Sequence, residues 1–148
     1  ADVVGLNCFR GPATMMPYLK QVRISVKCHV AALPINYRTT EESPTFFNLP
    51  DNNGCTCSSP HGRTFPTALD PLQCNRYEIG AFAREAYGMG VNYLGLCCGA
   101  NPMLIREVAE VVGLSVPASR YREDMSKHFM YGDNERIAKH MKEYGDKA

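Results

Sequence analysis

Three short apolar runs that fail to alternate with polar residues constrain this chain most: Val3-Val4-Gly5-Leu6-Asn7-Cys8, Val26 to Leu33, and Val91 to Leu96. A strand with water on one face alternates apolar and polar side chains, whereas a run without alternation suits a strand covered on both faces in a parallel sheet. Between the runs the period becomes that of a helix. Met15, Leu19 and Val22 recur at helical spacing in a segment that Pro17 is expected to start late or kink. Ile79, Phe82, Ala83 and Ala86 define an amphipathic helix closed by Gly88 or Gly90. After the third run, Asn101-Pro102 is read as the cap of a helix carrying Leu104, Ile105, Val108 and Val112, with Gly113 at its end.

Repeated strand and helix units of this kind predict a parallel α/β architecture. A closed (β/α)8 barrel needs about 250 residues, and only three strands are visible in 148 residues. The expectation is therefore that residues 1–116 are the C-terminal part of a TIM-type barrel, favoured over a small open sheet. The absence of an initiator Met, with a strand almost at the first residue, fits a fragment of a longer protein. From Ile35 to about Cys74 the chain is rich in Pro, Gly, Asn, Ser and Thr, with turn clusters at Asp51-Asn52-Asn53-Gly54 and Ser59-Pro60-His61-Gly62; a connection of that length is usually functional or mobile. Residues 117–148 form an extension dotted with Tyr121, Met125, Phe129, Met130 and Tyr131, with a helix expected from about Asp133 to Tyr144. It is expected to pack against the barrel or a partner subunit.

Charge and cysteine usage narrow the function. A net charge of +1 with interspersed acids and bases argues against nucleic acid or an anionic membrane as partner. No apolar run approaches the roughly 18 residues that cross a bilayer, and no signal peptide is apparent, so a cytoplasmic location is expected. Seven cysteines, an odd number in such a chain, fit reduced thiols, some holding metal, better than a disulfide framework.

Two of the three runs end in cysteine, and ligands gather at the C-terminal ends of strands in parallel α/β folds. Cys8 with Cys97 and Cys98 would give zinc the three protein ligands of a site that keeps its fourth position open. An adjacent pair must leave the regular strand for both sulfurs to meet one metal, and Gly99 gives the backbone that freedom. On spacing alone the alternative stands that Cys97 and Cys98 are small buried apolar residues. Cys55 and Cys57 are read as exposed loop thiols, with a separate metal or redox pair as the alternative, Cys28 as core, and Cys74 as a boundary residue. His29 is read as a satisfied structural histidine, and His61, His128 and His140 as exposed.

At these residues the sequence resembles the homocysteine S-methyltransferase family, zinc enzymes built on a (β/α)8 barrel. Gly5-Leu6-Asn7-Cys8 with Gly11-Pro12 is similar to the family strand bearing the first zinc cysteine, and Gly95-Leu96-Cys97-Cys98-Gly99 to its Gly-Gly-Cys-Cys-Gly segment. The helix from Asn101 to Val112 resembles the one that closes the family barrel. Arg84-Glu85-Ala86-Tyr87 leading into Gly90-Val91-Asn92-Tyr93, with Leu49-Pro50 and Phe65-Pro66 to Pro71, looks most like the betaine-using members. Gly11-Pro12 with Met16-Pro17-Tyr18-Leu19 resembles the relatives that use S-methylmethionine or a folate-linked donor as well. The resemblance covers roughly residues 1–115.

The resemblance implies zinc on Cys8, Cys97 and Cys98, homocysteine bound as a thiolate, and methyl transfer from a donor such as betaine, giving methionine and dimethylglycine. A non-catalytic zinc-binding fragment is the alternative from another class. The resemblance also implies a homo-oligomer assembled through the C-terminal extension, and a missing N-terminal barrel half that supplies most of the substrate-holding groups. Tyr37, Phe46 and Phe47 are aromatic candidates for holding the cationic donor, with packing as the preferred role. Leu96 stands where the family usually has glycine, which adds bulk expected beside the metal.

Overall fold

The structure is a computed structural model that describes residues 1–51, 62–133, 135 and 137–147; Cys55, Cys57 and His61 lie outside the described residues. The chain forms two compact units, Ala1–Val116 and Pro117–Ala148. The first contains β1 (Val3–Asn7), α1 (Pro12–Ser25), β2 (His29–Leu33), α2 (Arg76–Gly88), β3 (Tyr93–Leu94) and α3 (Pro102–Val111). The strands form one parallel sheet in the order β1-β2-β3.

Register explains which side chains form the core. Val4 lies beside Val30, Leu6 beside Ala32, and Ala32 beside Leu94, so these residues share one face of the sheet. Against that face pack Met15 and Leu19 of α1 and Phe82 and Ala86 of α2. Full burial of a side chain such as Leu19 is worth roughly 2–3 kcal/mol. The opposite face carries Val3, Gly5, Asn7, His29, Ala31, Leu33 and Tyr93, and among the described residues of this unit no helix or strand covers it; Val3 is 51% and Tyr93 60% exposed. Strands covered on both faces were expected, and among the described residues of this unit they are covered on the helix side alone. Among the described residues the outer edges of β1 and β3 have no strand partner.

The elements differ from the sequence reading at their ends. The helix α1 is continuous through Pro17, with Pro12 in its first turn, where a missing N–H costs nothing. The Pro17 ring lies on the exposed side. The strand β2 begins at His29 rather than Val26, because the Arg23 guanidinium gathers the carbonyls of Val26 and Cys28 into the turn that leaves α1. Cys28 is consequently half-buried rather than core, and His29 is exposed at the strand start. The helix α2 opens with a capping box in which Asn75 and Glu78 satisfy each other's backbone N–H groups. Asn101 caps α3 by accepting from the Leu104 N–H.

The long connection between β2 and α2 carries short 3-10 turns at Phe46–Asn48 and Asp70–Leu72, and packs a core of its own from Ile35, Phe46, Leu49 and Leu69. Arg38 in this connection holds Glu78 of α2 by two hydrogen bonds of 2.7 and 2.6 Å.

The second unit has 3-10 turns at Pro117–Tyr121 and Met125–Lys127 and a helix α4 at Lys139–Gly145. That helix is shorter than expected; Ala138 at its start supplies no side-chain cap. His128 is half-buried rather than exposed, its Nδ1 accepting from the N–H groups of Met130 and Tyr131. Among the described residues no helix is long and apolar enough to cross a membrane.

Candidate metal centre

The middle strand brings the cysteines together. Cys8 follows the last residue of β1, and its N–H donates to the Leu33 carbonyl; Cys97, just past β3, donates to the carbonyl of Pro34. One stretch of chain leaving β2 thus bonds to both cysteine-bearing segments. Asn36 extends this bracing by donating its N–H to the Cys98 carbonyl at 2.9 Å and its side-chain Nδ2 to the Gly99 carbonyl at 3.1 Å. Asn36 is fully buried, and among the described residues its Oδ1 has no hydrogen-bond partner.

Two turns then aim the sulfurs. Cys8 and Phe9 both adopt positive φ, 67° and 63°, which costs a non-glycine residue roughly 1–2 kcal/mol. The Arg10 N–H returns to the Cys8 carbonyl at 2.8 Å, closing a γ-turn of the rare positive-φ kind around Phe9. The turn is held from outside: Phe46 N–H donates to the Phe9 carbonyl and Ile35 N–H to the Arg10 carbonyl. At the second turn Gly99 has φ of 79°, and the Tyr37 ring lies where a Cβ would be, 2.9 Å from its Cζ and Oη.

The result is a cluster in which the sulfurs of Cys8, Cys97 and Cys98 all lie within 4.8 Å of one another. Cys8 Sγ is 3.6 Å from Cys98 Sγ, and Cys97 Sγ is 3.8 Å from Cys98 Sγ. Zinc–sulfur bonds of about 2.3 Å in a tetrahedron place neighbouring sulfurs about 3.8 Å apart, so the two spacings from Cys98 match edges of a tetrahedral site, and the third pair lies within 4.8 Å. Three thiols are also the donor set that suits zinc.

The electrostatics of the trio ask for a cation. Partial burial works to raise the Cys8 pKa, but the Phe9 N–H, the Cys97 and Cys98 thiols and the Cys98 N–H outweigh it and hold that thiol below its ordinary value. Cys98 is pushed up to about 11, by desolvation first and then by the neighbouring sulfurs. Cys8 is therefore the first of the two to ionise, and Cys98 resists becoming another anion beside it. A dication among the sulfurs reverses that resistance. Tyr37 is also held above its usual pKa, by burial and then by Asp70 and Cys98, and stays a neutral phenol.

The surroundings sort the remaining candidates. Phe46 is 5% exposed and packs with Ile35, Leu49 and Leu69, so its role is packing. Phe47 is half-buried and meets the Phe9 ring at 5.7 Å, with Phe9 itself 54% exposed at the mouth of the site. Leu96 turns toward Ile79, Leu104 and Val108 on the helix side, so its bulk goes into the core between α2 and α3. Cys74 is buried just before α2, away from the sulfur trio, and burial pushes its thiol to about 11. A cavity of about 400 Å³ opens beside Cys8, bounded in part by Leu6, Phe9, Met15 and Thr45. Another of about 420 Å³ lies against Arg38, Cys74 and Glu78, and none of the three sulfurs lines it.

Phe9 and Asn36 were not singled out in the sequence. A phenylalanine at positive φ leaves no pattern to read, while an Asn two residues beyond Pro34 signals a turn but not its partners.

Comparison with known proteins gives the family. The family model for homocysteine S-methyltransferase matches residues 1–112. The chain is 35% identical to betaine–homocysteine S-methyltransferase 1 of Danio rerio over 89% of its length, covering 31% of that protein. It is 35% identical to the enzyme of the same name from Xenopus tropicalis, over 74% of the chain and 26% of the relative. An S-methylmethionine–homocysteine S-methyltransferase of Mus musculus is 31% identical over 80% of the chain and 32% of its own length. The chain thus spans about a third or less of the curated relatives it matches. With the family match running from the first residue through both cysteine-bearing turns, the chain belongs to the homocysteine S-methyltransferase family.

Proposed function

We propose that Cys8, Cys97 and Cys98 hold a zinc ion that receives homocysteine as its fourth ligand, in an enzyme that methylates homocysteine to methionine. The observation that carries this reading is the trio of sulfurs at tetrahedral spacing where β1 and β3 end. Zinc bound there supplies Lewis acidity that keeps a substrate thiol deprotonated near neutral pH, where a free thiol with a pKa near 8.5 is mostly protonated. The three cysteines bind as thiolates and keep the site rich in negative charge. The braces from Leu33, Pro34 and Asn36 hold the sulfurs in place, so no reorganisation is needed when substrate arrives. The half-buried Phe47 ring, packed in the same cluster as Cys8 and Cys97, offers an apolar π surface that favours a methylated cation over water.

Betaine is the donor we favour, because relatives named for it are matched at 35% identity. S-methylmethionine is the second reading, supported by the 31% identity to the relative from Mus musculus named for that donor. On this proposal Ala1–Val116 is the C-terminal part of a (β/α)8 barrel. Its bare sheet face and unpaired edges are what such a part would leave for further strands. Residues 117–148 are proposed as an oligomerisation arm and the enzyme as cytoplasmic.

The test is metal analysis with donor assays on the full-length protein. One zinc per chain, lost in Cys97→Ser, with methionine formed from homocysteine and betaine, is the expected result. Zinc retained at full stoichiometry in Cys97→Ser would refute the ligand assignment.

A further inference from the structure

We infer that Phe9 is a positioning residue for the Cys8 sulfur, acting through the left-handed turn it occupies and not through direct contact with metal or substrate. This deepens the zinc reading above and rests on it. In a strand continuing past Asn7 with extended geometry, the side chains of successive residues would point to opposite faces. Instead Cys8 and Phe9 both take positive φ, and the chain reverses within the γ-turn closed by Arg10 N–H on the Cys8 carbonyl. That reversal fixes the direction in which the Cys8 side chain leaves the end of β1. Groups that act on a metal ligand and not on the metal orient that ligand.

A bulky residue is a poor choice for this backbone, and glycine would hold it without strain. The structure shows what keeps Phe9 there. Its carbonyl is clamped by the Phe46 N–H at 3.1 Å, and its ring meets Phe47, which in turn meets Phe65 at 4.7 Å. The ring contact and the clamp act on the same turn from the same connection, so the aromatic group between β2 and α2 is coupled to the direction of one sulfur. A strained conformation over-determined by its surroundings is the pattern expected where geometry serves a site.

The coupling predicts an unusual order of effects. In Phe9→Ala the positive φ remains costly while the ring that held it is lost, so the turn relaxes and the sulfur swings away. Phe9→Gly also loses the ring, yet holds φ near 63° at no cost and preserves the turn. A role in packing alone predicts the reverse, since glycine buries least and loosens the chain most.

The experiment measures zinc affinity by competition with a chromogenic chelator, together with the sulfur-to-metal charge-transfer spectrum of the cobalt-substituted protein. Phe9→Ala is expected to weaken zinc binding by about tenfold or more, the range for losing an outer group on a metal ligand, and to shift the cobalt spectrum. Phe9→Gly is expected to stay within about threefold of the unmodified protein and to keep its spectrum, and Phe9→Tyr to match it. Unchanged affinity in Phe9→Ala, or a larger loss in Phe9→Gly than in Phe9→Ala, overturns the inference while leaving the zinc reading intact. An unmodified protein that binds no zinc overturns both.

Discussion

Replacing Gly99 by alanine tests the second turn of the metal centre, and neighbouring glycines give the scale. At Gly99 a Cβ would lie 2.9 Å from Cζ and Oη of Tyr37 and 3.1 Å from its Cε2, with φ at 79°. The ring has little room to retreat, because it stacks on Phe46 at 5.9 Å and Phe46 is itself buried against Phe65. The left-handed conformation costs alanine about 1–2 kcal/mol, and overpacking adds about 1–3 kcal/mol. A loss of about 2–5 kcal/mol follows from the two terms. Gly113 has φ of 89° but nothing within 4 Å of its added Cβ, so Gly113→Ala isolates the conformational term at about 1 kcal/mol. Gly88, within α2 and equally free of neighbours, has no positive φ; Gly88→Ala should be neutral or stabilise by about 0.5 kcal/mol. Urea unfolding of the metal-free proteins measures all three. A Gly99→Ala variant no less stable than Gly113→Ala would refute the contact between the Tyr37 ring and the turn.

Other outcomes follow from the same structure. In metal-free native protein an alkylating reagent should label Cys8 much faster than Cys74, since Cys8 is held below its ordinary pKa and Cys74 is pushed to about 11 by burial; equal rates would contradict the placement of Cys74. Hydrogen bonding to Arg38 holds the Glu78 carboxyl below its usual range, so its contribution is complete above the unfolded carboxyl's pKa of about 4.3 and is lost as pH falls through the folded value. Both partners are more than a third exposed, so Glu78→Gln should cost under about 1 kcal/mol at pH 7 from this pair. The gap from the unmodified protein should close as pH falls through the folded value, and a gap that widens on acidification would reverse the sign. Leu19→Ala, at a fully buried position under the sheet, should cost about 2–5 kcal/mol by chemical denaturation; a loss below about 1 kcal/mol would place Leu19 outside the core.

What the sequence disclosed depended on how local the signal was. The helix caps at Asn101 and the periodicity of Ile79, Phe82, Ala83 and Ala86 are written within a few residues, and the helices stand where that pattern puts them. The three cysteines were legible because each follows an apolar run. Less local matters were misread. Cys28 looked like part of a strand, but Arg23 draws the preceding carbonyls into a turn. Leu96 looked like bulk beside the metal, although, two residues beyond β3, it packs with Leu94 against the helix core. The connection after β2 read as a loop rich in breakers, yet Phe46, Leu49 and Leu69 fold it into a core that props both cysteine turns. The positive φ of Phe9 and the reach of Asn36 depend on partners far along the chain, where no short pattern can register them.

The separation of the cysteines along the chain has a thermodynamic side. Cys8 and Cys98 are 90 positions apart, so an ion bridging them would act as a staple that closes a long loop in any unfolded state still holding it. Closing a loop of that size by a covalent link removes chain entropy worth roughly 4–5 kcal/mol. A metal clip approaches this to the extent that it stays bound. With one sheet face bare and both edges open, this unit has little apolar burial to spare. Its heat resistance would then track its metal content, and a chelator would lower it.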